Sequence, residues 1–412
     1  MTAMDPARPQ TVLGMLSGTS HDAVDVAAAH LRFTGPDTLA LRPLGLHSEP
    51  FPPGLRERIA AALPPARVDL AEVCRLDTEL GQFFGAVAAR ADTALTGRRA
   101  ALLASHGQTV YHWVDGARAR GTLQLGSAAW IAHATGLPVL SDLRTADITR
   151  GGQGAPLVSL LDALWLLGDG TRRAALNLGG IANITVPGPD TAPQDVLAYD
   201  LGPAGALIDA AVTADSGGAE RMDTDGARAA RGRIDAALLH RLLAEPYYRL
   251  PPPKSTGKEL FHPGYLDTVL RPGDPTGDHL VATLTELTAH LVGTACRTHR
   301  TAELVVSGGG VRNPVLMDRI RAVAAPARIV TSAEHGLPAQ AKEAYLFALL
   351  GYLTAHGLPG TLPSATGATA PAVLGSWTPG AGPLRLPPPH PRPPRRPVLV
   401  RPYPGAAPPP PP

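Results

Sequence analysis

The order of apolar and polar positions along the chain predicts strands that alternate with helices. Short apolar runs bounded by small or polar residues predict strands at Thr11–Leu16, Ala174–Leu178, Ile181–Val186 and Leu304–Val306. Longer mixed runs predict helices over residues 230–244, 280–298 and 340–353. Strands and helices in alternation are typical of an α/β fold.

The two halves of the chain begin in a similar way, which predicts an internal duplication. In the first half an apolar strand precedes the small residues Ser17–Ser20, and in the second half Ala174–Leu178 precedes two glycines. A chain of 412 residues is also too long for one typical core. We therefore expect an N-terminal domain over residues 11–170 and a C-terminal domain over 171–375, with a glycine-rich hinge near 168–173.

Proline dominates the chain from about residue 376 to its end, which reads PPPPP. A segment of this composition has few side chains that could bury a core, and it favours disorder or polyproline II. Residues 376–412 are therefore expected to form a disordered tail.

Composition and charge exclude several classes of protein. The formal net charge is +2 and the basic residues are scattered until the tail, so no nucleic-acid surface is predicted. Cys74 and Cys296 form neither a disulfide framework nor a metal motif. The longest apolar run, Leu157–Leu167, contains Asp162 and is too short to span a bilayer, and no signal peptide is predicted. We expect a cytoplasmic protein without membrane partners, and a homodimer is compatible with the sequence.

The most informative local feature is the run GMLSGTSHDAVD, Gly14–Asp25, directly after the first predicted strand. A Gly/Thr/Ser turn in this position can surround phosphate oxygens with backbone N–H groups and hydroxyls. The carboxylates of Asp22 and Asp25 suggest a divalent cation nearby. A hairpin turn with a solvated acidic edge is the alternative interpretation.

Glycine turns of this kind follow strand-like runs at four places: Gly14–Asp25, Asn177–Thr185 (NLGGIANIT), Tyr199–Asp209 (YDLGPAGALID) and Ser307–Asn313 (SGGGVRN). Their combination resembles the actin/hexokinase/heat-shock chaperone ATPase superfamily, in which two duplicated domains close on ATP around a central cleft. Three further segments are similar to the anhydro-N-acetylmuramic acid kinase family: Ala104–His112 (ASHGQTVYH), Ser141–Val158 (SDLRTADITRGGQGAPLV) and Pro251–Phe261 (PPPKSTGKELF). The similarity spans about residues 11–370 and leaves the tail outside.

This resemblance implies an enzyme of peptidoglycan recycling and amino-sugar catabolism that uses ATP and Mg²⁺. The family opens the 1,6-anhydro bridge of anhydro-N-acetylmuramic acid with water and transfers the γ-phosphoryl group of ATP to O6, which gives N-acetylmuramate 6-phosphate. Such a reaction needs a base for the water that attacks C1, and a carboxylate suits that task. Asp200 follows the apolar run Val196–Tyr199 and precedes Gly202–Pro203, and it matches the position of the family's catalytic Asp. A turn-capping Asp is the alternative.

The resemblance also implies the residues that bind ATP and metal. The ATP-binding residues are Gly18, Thr19, Ser20, His21, Asp22, Ala23, Val24, Asp25, Gly179, Gly180, Gly202, Gly308, Gly309 and Gly310. Asp22 or Asp25 would hold Mg²⁺ through water, and a helix or turn cap is the alternative for each. For the three glycines at 308–310 the alternative is close packing of strand against helix.

Four residues are expected to bind the sugar. Arg144 suits the lactyl carboxylate of the substrate because its guanidinium presents a fork of donors, and Asp142 lies beside it in the sequence. Glu343 would accept from sugar hydroxyls, or else stabilise the first turn of a helix. His106 would line the sugar pocket, or else be a structural histidine.

Some residues depart from the usual family motifs. Ala23 replaces a glycine, which would be costly at a positive φ, and Leu201 replaces a threonine beside the proposed base. Ser159 and Asp162 stand where Pro and His are usual. These changes leave two alternatives open: a kinase of another 1,6-anhydro-sugar such as levoglucosan, or a non-catalytic sugar or nucleotide sensor on the same fold.

Overall fold

The computed structural model describes residues 9–18, 22–64, 66–116, 118–167, 171–188, 195–252, 254–257 and 260–399. These residues divide into two compact units. Unit 1 contains the described residues of Met1–Trp165 and Glu343–Pro412, and unit 2 contains those of Leu166–Lys342. The expected mixed α/β fold is confirmed in both units.

The strands of the described chain are β1 (Gln10–Ser17), β2 (Ala23–Phe33), β3 (Thr38–Pro50), β4 (Leu102–Ser105), β5 (Gln108–Asp115), β6 (Arg118–Leu125), β7 (Val139–Ser141), β8 (Arg173–Leu178), β9 (Ile181–Pro187), β10 (Val196–Pro203), β11 (Glu303–Ser307), β12 (Arg328–Thr331), β13 (Ser376–Thr378) and β14 (Arg396–Leu399). The α-helices are α1 (Pro53–Ala62), α2 (Leu70–Thr96), α3 (Ala128–Thr135), α4 (Thr145–Ile148), α5 (Val158–Trp165), α6 (Gly205–Asp215), α7 (Ala227–Arg231), α8 (Ala236–Leu242), α9 (Pro263–Val269), α10 (Gly277–Thr298), α11 (Pro314–Ala324), α12 (Lys342–Ala355) and α13 (Pro363–Thr366). All four predicted strands and the helices α10 and α12 are confirmed, whereas the helix expected over 230–244 is interrupted between the end of α7 and the start of α8.

Unit 1 is built on a sheet with the strand order β13-β7-β4-β1-β2-β3-β14. Helix α2 covers one face of this sheet, where Leu13 and Met15 of β1 are buried against the helix residue Phe84. The helix begins at the N-cap Asp69, whose side chain accepts a hydrogen bond from Glu72 N at 2.7 Å. It ends at Gly97, which adopts φ 63° as a left-handed C-cap.

Helix α12 packs closely on β1 because Gly14 has no side chain. A Cβ atom added to Gly14 would lie 2.0 Å from the Ala344 carbonyl oxygen and 2.2 Å from Ala348 N. From Ala344 to Leu353 the side chains of α12 are apolar on all sides, and Tyr345 is 0% exposed. Such a helix must be covered on its whole circumference. Residues 343–375 therefore belong to unit 1, and their expected place in a C-terminal domain over 171–375 is wrong.

Unit 2 is built on a sheet with the strand order β10-β9-β8-β11-β12. Its core combines this sheet with α6, α10 and α11, for example through Leu176, Leu284 and Ile320. Helix α11 begins at the N-cap Asn313, whose side chain accepts from Leu316 N at 3.0 Å, and Pro314 occupies its first turn.

The two sheets share a pattern of strand order and direction. In unit 1, β1 is antiparallel to β2 and parallel to β4, β2 is antiparallel to β3, and β4 is parallel to β7. In unit 2, β8 is antiparallel to β9 and parallel to β11, β9 is antiparallel to β10, and β11 is parallel to β12. The order β3-β2-β1-β4-β7 therefore corresponds strand by strand to β10-β9-β8-β11-β12.

The expectation of a disordered tail is wrong for residues 376–399. Strand β13 pairs with β7, and β14 pairs in parallel with β3 at the edge of the unit 1 sheet. Between them the ring of His390 stacks on Phe33, with centroids 3.7 Å apart. Proline is tolerated in an edge strand, because one row of backbone groups there needs no partner. The contact between the His390 and Phe33 rings serves this proline-rich segment in place of a larger apolar core. Residues 400–412 lie outside the described part, as do 168–170 of the expected hinge.

A search of the described residues for membrane spans finds no helix of sufficient length and apolar character to cross a bilayer.

Candidate active site

The first glycine turn begins where β1 ends. Ser17 is buried, and its Oγ donates to Gln108 Oε1 at 2.5 Å. His106 N donates to the Met15 carbonyl oxygen at 2.9 Å, so the segment after β4 is held beside the end of β1. Gly18 follows Ser17, whereas the predicted phosphate-binding residues Thr19, Ser20 and His21 lie outside the described residues.

The four residues after this turn have different surroundings. Asp22 is exposed and forms an ion pair with Arg56. Val24 is 0% exposed, so its side chain belongs to the core and only its backbone could meet a nucleotide. Asp25 is half-buried and pairs across the sheet with Leu16. Ala23 is outside the left-handed region, so alanine is unstrained at this departure from the family motif.

A metal ion would find oxygen ligands but no complete site in the described chain. Among the described residues, no group of three or more His, Cys, Asp or Glu side chains is placed to hold a metal. The carboxylate of Asp22 is compensated by Arg56, whereas Asp25 lies on β2 with a hydrogen-bonding or electrostatic partner of its own. Carboxylate oxygen is the ligand that Mg²⁺ prefers, so both residues fit the chemistry of this ion.

His106 and Arg144 are brought together as an interacting pair. Arg144 Nε donates to His106 Nε2 at 2.9 Å, and Arg144 Nη1 donates to the Gly154 carbonyl oxygen at 2.6 Å. His106 Nδ1 is 3.0 Å from the Gly107 carbonyl oxygen, so its proton resides on Nδ1. Burial, and then the positive charge of Arg144, lower the pKa of His106 to about 3, which keeps the imidazole neutral.

The predicted acidic residue Glu343 lies in the first turn of α12 and acts on this same arginine. Burial lowers the pKa of Arg144, and the negative charges of Glu343 and Asp147 oppose that shift. The guanidinium is therefore a half-buried cation that interacts with the charges of two carboxylates, which suits it to fix an anionic group of a ligand.

Asp142 and His106 line one pocket of unit 1, with a volume of about 280 Å³. Its polar lining includes Asp77, Ser105, Thr122, Gln124 and Thr145. Asp142 has φ 54°, and its Oδ1 accepts from Thr145 Oγ1 at 2.5 Å, so the carboxylate is tied to the first residue of α4 while it borders the pocket. A strained backbone of this kind is retained where the surroundings fix it.

Asp147 supports the arginine, although the sequence analysis did not single it out. It is 0% exposed. Its Oδ2 accepts from Gly154 N at 2.8 Å, and its Oδ1 accepts from Thr366 Oγ1 at 2.8 Å. A Cβ atom on Gly152 would lie 2.1 Å from Asp147 Oδ2, so this glycine is required for the approach. An acidic residue just before a run of glycines, whose N–H groups need an acceptor, is the signal that could have found it.

In unit 2, the turn Gly179–Gly180 is tied to the start of α6. The Gly179 carbonyl accepts from Gly205 N at 3.0 Å, and the Gly180 carbonyl accepts from Ala204 N at 2.9 Å and Ala206 N at 3.0 Å. The second and third glycine motifs of the sequence therefore form one cluster.

Asp200 lies at a bulge in β10, where the register with β9 shifts between Asp200 and Gly202. Gly202 adopts φ 146°, and a Cβ atom there would lie 2.7 Å from the Tyr248 ring. Such bulges redirect a side chain at the end of a strand. The adjacent Leu201 is 5% exposed and belongs to the unit 2 core. The departure from the usual threonine at this position therefore changes a side chain that is packed in the core.

The loop 254–257 holds Asp200 in place. Asp200 Oδ2 accepts from Thr256 N at 2.9 Å, and Asp200 N donates to the Lys254 carbonyl at 3.0 Å. The Asp200 carbonyl accepts from the Tyr247 hydroxyl at 2.9 Å. Lys254 Nζ donates to the carbonyls of Tyr247 and Tyr248 at 3.1 Å each. Burial lowers the pKa of Lys254, and the charge of Asp200 opposes this. This segment belongs to the sequence resemblance, but no role in the site was expected for it.

The last glycine turn, Gly308–Gly310, directly follows β11. Gly308 has φ 90°, and a Cβ atom there would lie 2.6 Å from the Leu178 carbonyl oxygen and 2.7 Å from Asn177 Oδ1. The turn therefore contacts the end of the neighbouring strand β8, from which Gly179–Gly180 continues. Close packing of strand against turn, one of the two interpretations of these glycines, is present.

Unit 1 thus places His106, Asp142, Arg144 and Glu343 near one another. Unit 2 places Asp200 and Gly202 on β10, opposite the strand β9 that follows the turn Gly179–Gly180. Two other departures from the family motif, Ser159 and Asp162, are each 1% exposed in α5.

The sequence is similar to known proteins over most of its length. Residues 10–380 match the model of the family described as anhydro-N-acetylmuramic acid kinase. A protein of that name from Streptomyces avermitilis is 59% identical, and the match covers 92% of this chain and 96% of the relative. One from Rhodococcus erythropolis is 52% identical, with 90% of this chain and 94% of the relative covered. Among solved structures, a component of (R)-2-hydroxyglutaryl-CoA dehydratase from Acidaminococcus fermentans is 11% identical with a TM-score of 0.40, over 82% of this chain and 95% of that one.

Proposed function

Because the chain belongs to the anhydro-N-acetylmuramic acid kinase family, we propose that it uses ATP and water to convert 1,6-anhydro-N-acetylmuramic acid into N-acetylmuramate 6-phosphate. This reaction would place it in the recycling of cell-wall sugars. It acts on ATP and a small sugar, so we propose that it works in the cytoplasm, where ATP is supplied.

The observation that carries the mechanism is the support given to Asp200. A general base must be held in place within reach of the water. One carboxylate oxygen of Asp200 accepts from Thr256 N, and the backbone on both sides is fixed by Lys254 and Tyr247. Lys254 supplies a nearby positive charge that favours the ionised carboxylate.

In the proposed step, Asp200 removes a proton from water as the water oxygen bonds to C1 of the sugar. The C1–O6 bond breaks, and O6 takes the γ-phosphoryl group while ADP leaves. The opened bridge therefore supplies the phosphoryl acceptor itself. Positioning and charge stabilisation provide most of the protein's contribution to such a transfer.

Arg144 is proposed to bind the lactyl carboxylate of the substrate. Its guanidinium is oriented by His106 and Gly154, and a guanidinium carries further N–H donors beyond the two used in these bonds. The neutral His106 adds no competing charge. Asp142 and Glu343 are proposed to accept hydrogen bonds from sugar hydroxyls.

The glycine turns are proposed to bind ATP. Gly18–Asp25 and Gly179–Gly180 would surround the phosphates with Gly202, and Gly308–Gly310 would contact the adenosine. The corresponding strand order of the two sheets supports descent from a duplicated ATPase domain. Mg²⁺, held through Asp22 and Asp25, would neutralise the phosphates.

The proposal is tested by following ADP release with anhydro-N-acetylmuramic acid, levoglucosan and free N-acetylmuramic acid as separate substrates. We expect ADP release with the first alone. In water enriched in ¹⁸O the label should appear at C1 and be absent from phosphate. Preference for levoglucosan would indicate a different anhydro-sugar kinase, no turnover with bound sugar would indicate a sensor, and label in phosphate would indicate simple ATP hydrolysis.

A further inference from the structure

A second pocket of unit 1, with a volume of about 340 Å³, plays no part in the proposed reaction. Its lining consists of Thr11, His30, Arg42, Leu44, Leu95, Thr96 and Arg99. Thr11 lies near the beginning of β1, whereas the proposed phosphate turn follows the end of that strand. At about 3.3 Å per residue the two are about 20 Å apart along the strand.

The polar floor of this pocket is a row of side chains across three neighbouring strands. Thr11 on β1 is directly opposite His30 on β2, and His30 is directly opposite Arg42 on β3. Thr11 Oγ1 and His30 Nδ1 are 3.0 Å apart. The register of β2 and β3 shifts next to this row, between Ala28 and Ala29, and such bulges redirect side chains.

The positive charge of the pocket is not compensated within the described chain. No acidic side chain is among the lining residues, and neither Arg42 nor Arg99 forms an ion pair with a described carboxylate. Arg42 Nε is buried and has no hydrogen-bond partner among the described residues. A buried donor without an acceptor is costly, so this atom indicates a missing acceptor.

The remaining lining residues complete a site for an anion with an organic part. Arg99 Nε donates to the Thr96 carbonyl at 2.9 Å, which neutralises the negative end of α2. Leu44 and Leu95 provide apolar walls. Burial, and then the charges of Arg42 and Arg99, lower the pKa of His30, as expected beside cations that no anion balances.

We propose that this pocket binds a small phosphate-bearing anion, either inorganic phosphate or a sugar phosphate. Guanidinium groups bind phosphate through paired N–H donors, and two of them with Thr11 and His30 match the several acceptor oxygens of a tetrahedral dianion better than those of a carboxylate.

The test follows the imidazole signals of His30 by NMR in the full-length protein, with His30→Gln used for assignment. Inorganic phosphate, glucose 6-phosphate and N-acetylmuramate 6-phosphate are titrated separately. We expect a saturable shift of the His30 signals with a Kd of about 1 mM or tighter for at least one of them. Tighter binding of a sugar phosphate than of inorganic phosphate identifies an organic ligand, and the reverse identifies free phosphate.

Variants distinguish this pocket from the phosphate-binding turns of the proposed active site. Arg42→Gln and, independently, the exposed Arg99→Gln should each weaken the anion-induced shift by about tenfold or more. Arg67→Gln, on an exposed loop outside the pocket, is the matched control and should bind as the wild type does. The proposal is overturned if no anion shifts His30, or if Arg42→Gln and Arg99→Gln both fold and bind like the control.

Discussion

At the scale of single residues, Asp200→Asn is the sharpest test of the proposed base. The amide has nearly the same shape but cannot accept the proton of water. We expect kcat to fall by about 10²–10⁴-fold, with the KM for ATP unchanged, in the ADP-release assay. Asp209→Asn in the same sequence motif is the control. If Asp200→Asn keeps more than about half of the wild-type rate, the base is another residue.

Arg144→Lys tests the proposed contact with the lactyl carboxylate. Lysine keeps the charge but loses the fork that reaches His106 and Gly154. We expect the KM for the anhydro-sugar to rise by about tenfold or more and the KM for ATP to stay the same. Arg150→Lys, in the same segment but exposed, should leave both constants unchanged. An unchanged sugar KM in Arg144→Lys would contradict the assignment.

The sequence predicts functional residues whose side chains belong to a motif. It gives little indication of residues that act through the backbone. Asp200, Arg144 and His106 belong to motifs, and the structure gives each a specific surrounding. Thr256 acts through its own N–H group, so its side chain does not reveal the contact. Asp147 accepts from a glycine N–H group, and only its place before a run of glycines indicates this role. Such roles depend on how two loops fold against each other.

At the scale of elements, the loop 254–257 is expected to position the base. Thr256→Pro removes the N–H group that donates to Asp200 Oδ2. Loss of a hydrogen bond to a charged group is worth about 1.5–3 kcal/mol, so kcat should fall by about 10–100-fold while the KM for ATP is retained. Thr256→Ala keeps the N–H group and should retain kcat. Equal losses in both variants would show that the side chain, and not the backbone donor, is required.

The contact between β1 and α12 gives a prediction about stability. In Gly14→Ala the new Cβ atom would meet the backbone of α12 at 2.0 Å, and backbone cannot move aside cheaply. We expect a loss of about 3 kcal/mol or more in the free energy of unfolding, measured by urea denaturation. Gly54→Ala is the control, because a Cβ atom there has nothing within 4 Å. A stability of Gly14→Ala equal to that of the control would contradict this packing.

At the scale of the whole molecule, alternating apolar runs were sufficient to predict the α/β class and the strands that begin each unit. They could not predict that 343–399 return to unit 1, because that placement depends on contacts between residues far apart in sequence. Helix α12 is apolar on all sides from Ala344 to Leu353, so its own pattern does not indicate which sheet covers it. The strand β14 contains Pro397, a residue that argues against a strand unless an edge is available.

The docked segment 376–399 leads to the last prediction. A chain that ends at residue 375 loses the pairing of β13 with β7 and of β14 with β3, and it exposes the ring of Phe33 on which His390 stacks. We expect a lower Tm for this chain, by several degrees, because about 1 kcal/mol corresponds to roughly 2–4 °C in domains of this size. A chain that ends at Leu399 keeps every described contact and is the control. Since β3 would become an edge strand with unpaired N–H and C=O groups, the shorter chain should also aggregate more readily. Equal Tm values for the two chains would show that the segment adds nothing to the stability of unit 1.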